Sequence, residues 1–237
     1  MVAEPQPAVP TRWRFWPVLL VAFIAFVVAN VAVLVAAKVF AIPIGHLDQL
    51  TPGQIAILTA AQDGSLAAVL LVLLRAWPKV GPAGLGLRTP VALGIGLGTG
   101  AALWLASIVI ANVQAAVVGA HPQSLVVAAA SHRSPEALAL VLVFAAGLVA
   151  VVEELFFRAV LFALLRQRLG FAYAATLSSM LFAGAHEIAA WIPVFVLGVG
   201  LCYLYEKRHS LWTNALAHGT VNALSFVILF LLPNAVS

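Results

Sequence analysis

From Phe15 to Ala37 the chain carries no charged side chain. A run of that length matches the ~20 residues that an α-helix needs to cross the roughly 30 Å hydrocarbon core of a bilayer. It exceeds the roughly 7–15 apolar residues of a cleaved secretion signal, so it reads as an uncleaved anchor. Hydropathy and Gly/Pro breakers divide the remainder in the same way. Seven spans are expected, over 15–40, 55–77, 91–120, 136–169, 171–188, 191–205 and 211–232. The length of 91–120 leaves room for an eighth, short or re-entrant segment. The Gly/Pro-rich stretch 78–90 (PKVGPAGLGLRTP) cannot be a continuous helix.

Composition narrows the class. Of 237 residues, 64% are hydrophobic and only 8% charged, whereas soluble domains carry about a quarter charged residues. This excludes a soluble globule, a disordered chain and an ordinary nucleic-acid-binding domain. The expected fold is an all-α polytopic membrane helix bundle of about seven helices, one integral domain over 15–237, preceded by a disordered tail at 1–14 containing Pro5, Pro7 and Pro10. The one cysteine, Cys202, lies in an apolar run; it excludes an intrachain disulfide or a cysteine-based zinc site and reads as a small buried hydrophobe.

The net charge of +4 matters through its placement. Arg12, Arg14, Arg75, Lys79, Arg88, Arg166, Arg168, Lys207 and Arg208 fall on one side of seven alternating spans, and only Lys38 and Arg133 on the other. That bias puts the N-terminus in the cytoplasm and the C-terminus outside.

A charge at mid-bilayer costs at least about 2.5–3.5 kcal/mol, so each one inside a span needs a reason. The fourth span holds Glu153, Glu154 and Arg158, the fifth His186, the seventh His218 and Asn222, and the second Asp63, which could be a lone polar contact to another helix. Glu154 and Arg158 have the four-residue spacing and order of a helical ion pair. Glu153 projects about 100° away and is left without that partner. His218 and Asn222 share a face. Counted from the turn at Gly170, Glu153 lies 17 residues before and His186 16 after, so an antiparallel pair brings them to one depth. Both would then lie about 25 Å from the hairpin tip, whereas His218 is about 15 Å beyond Arg208; either the hairpin overhangs or the helices tilt differently.

Three helices can thus deliver a carboxylate, an imidazole and an imidazole-plus-amide to one pocket. A carboxylate and an imidazole sharing a water can take its proton as it attacks a carbonyl. His218 and Asn222 could donate hydrogen bonds to the developing oxyanion. Alternatively, Glu153, His186 and His218 could hold zinc with an open position for water. Each polar residue alone more often serves packing, and the set together could also form a proton pathway.

The segments EELFFR (153–158), FAGAH (182–186) and HGTVN (218–222) resemble the EExxxR, FxxxH and HxxxN motifs of the CPBP family, which includes CAAX prenyl endopeptidases and bacterial Abi-type proteins. The resemblance covers about 136–232, with GLGLR before the third span a weaker feature. It implies an intramembrane endopeptidase with its catalytic core at 136–232. Glu153 would activate water with help from His186, His218 and Asn222 would stabilise the oxyanion, and Glu154 and Arg158 would support the site or orient substrate. Phe182 is expected to pack beneath His186. No cofactor is required by this reading, although the family is often described as metallo-, with zinc as the alternative. The implied partners are a membrane-associated peptide or protein substrate and the lipid bilayer, with no nucleic acid; the implied location is a bacterial plasma membrane. The competing readings are a catalytically silent scaffold or bacteriocin-immunity protein of the same fold, and a proton-coupled small transporter, which the lack of an obvious internal repeat weakens.

Overall fold

The computed structural model describes residues 14–76, 81–119, 124, 128, 131, 132 and 134–231. Arg12, Lys79, Arg133 and the expected tail up to residue 13 lie outside the described residues. Seven principal helices follow in order: α1 (Phe15–Val39), α2 (Pro52–Ala76), α3 (Leu93–Val118), α4 (Pro135–Arg166), α5 (Phe171–Gly184), α6 (Trp191–Arg208) and α7 (Leu211–Leu231). There is no strand among the described residues. Six of the seven are long and apolar enough to cross a membrane; α5 is the shorter exception. The chain is an all-α polytopic bundle, and an integral membrane protein by this measure. α3 is one continuous helix over most of 91–120.

Local signals set the helix ends. Thr51 and Gln54 form a reciprocal cap at the start of α2, with Thr51 N donating to Gln54 Oε1 at 2.9 Å and Gln54 N to Thr51 Oγ1 at 3.3 Å, followed by Pro52 in the first turn. Ser134 Oγ accepts from Ala137 N to open α4, again with proline next. α6 stops where His209 turns left-handed at φ 44°, its N–H returning to Tyr205 O. α5 ends early, at Gly184. There Ala185 N and His186 N turn back to Phe182 O and Ala183 O, and the chain reverses over 185–190 into α6. The turn's carbonyls find side-chain donors: Trp191 Nε1 bonds His186 O and Gln114 Nε2 of α3 bonds Ala189 O. Such satisfaction is what allows non-helical backbone at depth in a bilayer.

α1 pairs with α2, α5 with α6, and α3 with α7, while α4 runs through the middle. Every residue from Phe156 to Leu165 is buried. The small residues are placed for close approach: a Cβ at Gly100 of α3 would come 2.5 Å from Ala217 O of α7, and one at Gly219 would strike Ala146 O of α4. The segment after residue 80 makes one helical turn, Gly81–Gly84, and then clamps the start of α7. Leu211 N bonds Gly86 O at 3.1 Å, Trp212 Nε1 bonds Leu87 O at 2.9 Å, and Ala92 N bonds Thr213 Oγ1 at 3.0 Å. Gly86 sits at φ 70°, with His209 O 2.7 Å from where a Cβ would stand, so a side chain fits there on neither count.

Candidate active site

α4 is not a uniform α-helix. Two stretches of wider π-type turns, Leu142–Val149 and Leu155–Phe162, flank a short α-helical piece, Ala150–Glu154. Such turns break the regular backbone ladder and are frequent at functional sites. Neighbouring helices use carbonyls in both stretches: Asn222 Nδ2 of α7 donates to Ala145 O at 2.8 Å, and Ser178 Oγ of α5 to Phe157 O at 2.9 Å. The two glutamates are thus carried on a segment fixed from either side.

Glu154 is fully buried and engaged on both oxygens. Oε1 lies 2.8 Å from Arg158 Nη1 and 3.0 Å from His218 Nδ1, and Oε2 accepts from Asn214 Nδ2 at 2.9 Å. The expected 154–158 ion pair is present. Arg158 is itself buried, with Nη2 reaching Gly198 O at 3.4 Å and its guanidinium stacked 4.4 Å over the Phe182 ring. Glu153 is different. Its side chain is 15% exposed, and its contact with the histidine is a looser 3.7 Å from Oε2 to His218 Nε2. His218 therefore has one consecutive glutamate at each ring nitrogen. An ionised carboxylate only accepts, so Nδ1 is the donor to Glu154 and Nε2 is the atom on the Glu153 side.

His186 stands in the turn after α5. Its Nδ1 lies 2.9 Å from Phe182 O, which leaves Nε2 open as an acceptor in the neutral ring. Phe182 is buried beneath it, with ring centroids 4.9 Å apart, and it also packs edge-on against His218 at 5.7 Å. Arg158, His186 and His218 meet around this one aromatic ring, and Glu153 and Glu154 join the group through His218. The structure does not bond Glu153 to His186: among the described residues no hydrogen bond or ion pair joins them. Asn222 is held by Ala145, so one of its two amide hydrogens is already used.

The zinc alternative finds no ready ligand set in this arrangement. Among the described residues no three His, Cys, Asp or Glu side chains form a group that could hold a metal ion. The Glu153–His186–His218 ligand set is therefore not assembled, although the Nδ1 contacts of both histidines leave each Nε2 available.

One residue, Asn214, escaped the sequence reading. Asn214 donates through one nitrogen to both Glu154 Oε2 and Leu201 O, tying α7 to α4 and α6. Its signal was available: with His218 and Asn222 it forms an N-x-x-x-H-x-x-x-N series on one helical face. Asp63, expected as a polar contact to another helix, is buried, and its helix α2 packs against the Ala150–Glu154 piece of α4. The depth mismatch also resolves. Glu154 lies 12 residues before the end of α4, about 18 Å along its axis, while Asn214, bonded to it, is only three residues into α7. The α4–α5 turn therefore reaches further along its helix than the start of α7 does.

Residues 135–224 match the family model described as Rce1-like, type II CAAX prenyl endopeptidase. The match spans α4 through most of α7 and includes all three motifs, in agreement with the resemblance drawn from them. No curated protein and no solved structure matches the chain.

Proposed function

We propose that the chain is a membrane-embedded endopeptidase that hydrolyses a peptide bond of a membrane-associated protein or peptide, near its C-terminus or at the membrane boundary. The observation that carries this reading is the inequality of the two adjacent glutamates. Glu154 is saturated by Arg158, His218 and Asn214, whereas Glu153 is partly exposed and, among the described residues, makes a loose contact to His218. A carboxylate with spare acceptor capacity beside an imidazole is what water activation needs.

In this mechanism Glu153 takes a proton as the water oxygen attacks the scissile carbonyl, with His186 Nε2 holding the same water. The carbonyl oxygen gains charge and is met by the remaining amide hydrogen of Asn222 and by His218, which can donate from Nε2 only as the doubly protonated ring, since Nδ1–H is held by Glu154; removing one such donor typically costs about 10²–10³ in rate. The carbon–nitrogen bond then breaks and the proton held by Glu153 passes to the leaving amine. Glu154, Arg158 and Asn214 keep His218 in place. The reading sets the catalytic core at 136–232, the N-terminus in the cytoplasm and the C-terminus outside, in a bacterial plasma membrane.

The test is cleavage of a membrane-associated peptide library by the purified protein in detergent, with wild type and Glu153→Gln in parallel and a chelator on the same plates. Cleavage lost in the variant and indifferent to the chelator supports the glutamate mechanism. Loss with the chelator, restored by zinc, overturns it in favour of a metal site. Cleavage of no peptide at all moves the weight to a silent scaffold.

A further inference from the structure

α1 leans on α2 and leaves a groove of about 460 Å³ between itself and α4–α5. Its walls are apolar throughout: Trp16, Leu20 and Phe23 on α1 face Phe156 and Leu161 on α4, with Leu181 of α5 completing them. One end is cationic. Arg14 is the residue that caps α1, and the Arg168 guanidinium, from the α4–α5 turn, lies 5.3 Å over the ring of Phe15. Phe15 in turn packs edge-on against Trp16, 5.1 Å away, so the two arginines and the groove mouth share one corner. Both arginines are exposed. Among the described residues no carboxylate pairs with either, in contrast to neighbouring Arg166, which grips Glu206 at 2.7 Å. Trp16 and Tyr173 stand more than two-thirds exposed at the same end of the molecule, as aromatic residues do at a membrane–water boundary.

We infer that this groove is a binding site for an anionic phospholipid, with an acyl chain between α1 and α4–α5 and the phosphate on Arg14 and Arg168. An apolar slot alone would accept any lipid chain. Two cations at its mouth that no described carboxylate engages select charge, because each basic residue near an anionic lipid surface adds attraction and guanidinium matches phosphate in two-pronged geometry. The site is independent of the proposed hydrolysis. It does, however, share Phe156 and the adjacent Phe157 with α4, and Phe157 packs 5.0 Å from Phe182, the ring under the histidines.

The experiment is native mass spectrometry of the full-length protein released from nanodiscs of equal phosphatidylglycerol and phosphatidylcholine. Wild type should retain phosphatidylglycerol over phosphatidylcholine by roughly fivefold or more. Arg14→Gln with Arg168→Gln should bring the ratio to about one while still retaining lipid, and Leu20→Trp, which fills an exposed position of the groove, should lower retention of both. An unchanged ratio in the double arginine variant overturns the proposal, as does unchanged retention in Leu20→Trp. Soluble glycerol phosphate should not displace the lipid; displacement would show a site for free phosphate and overturn the acyl-chain part. Displacement of phosphatidylglycerol by a lipidated peptide substrate would assign the groove to substrate instead.

Discussion

Polar side chains inside the first three helices and inside the last four solve the same problem in opposite ways. In α1, α2 and α3, Asn30 donates to Phe26 O, Ser65 to Gln62 O and Asn112 to Ile108 O, each three or four residues back on its own helix. In the second half the donors are given to other helices: Asn214 to α4 and α6, Asn222 and Ser178 to α4, Arg158 to α6. Thr220 and Ser225 of α7 fold back on their own helix, and Gln114 of α3 reaches the 185–190 turn, so the division is by role rather than by strict position. A side chain that satisfies itself locally leaves its helix free to slide or rotate. One that reaches a neighbour fixes the relative position of two helices, and a reaction needs that fixity.

The comparison can be broken most directly at Glu153. Glu153→Gln and His186→Ala should each lower cleavage by about 10²–10⁴-fold with an unchanged melting temperature; full activity in both purified variants would remove the proposed base. Glu154→Gln should act on the fold instead, leaving buried Arg158 poorly compensated at a cost of about 3–5 kcal/mol, read as a lower midpoint in detergent denaturation. A normal midpoint together with normal activity would show that the pair is not structural. Asn214→Ala removes a donor to a charged group and should cost about 1.5–3 kcal/mol, with activity falling as His218 loses the anchored partner that orients it. At the other extreme, Asn30→Leu and Asn112→Leu should change stability by no more than about 0.5 kcal/mol and cleavage not at all. If either matched Asn214→Ala, the contrast between local and interhelical bonding would be lost.

Much of the bundle was legible because long apolar runs punctuated by Arg, Gly and Pro allow few alternatives. The expected first span, 15–40, and last, 211–232, agree with α1 and α7 to within a residue. The fifth was overextended to 188, because hydropathy cannot register that the backbone at Phe182 turns back to bind Ala185 and the His186 ring. The error falls on a candidate catalytic residue for a physical reason: His186 is presented from a turn, not from the side of a helix. The 154–158 pair followed from helical spacing, and the meeting of α4 with α7 from the unlikelihood that three polar groups each stand alone in lipid. The wide turns of α4 carried no signal in the sequence, and two of their carbonyls depend for partners on Asn222 and Ser178 arriving from other helices. That same dependence hid the engagement of Asn222 with Ala145, which leaves it one free amide hydrogen rather than two.

The brevity of α5 has a consequence for the surrounding membrane. Fourteen residues extend about 21 Å, several ångströms less than the hydrocarbon interior. Lipids bordering a short helix compress to meet it, at a modest cost for each ångström of mismatch. The bilayer beside α5 is therefore expected to be thinned locally, bringing headgroups and water nearer to His186 than the average membrane would allow. Cleavage in vesicles should accordingly depend on the chain length of the host lipid, faster where the membrane is already thin and slower where thick, ordered lipids resist the dimple.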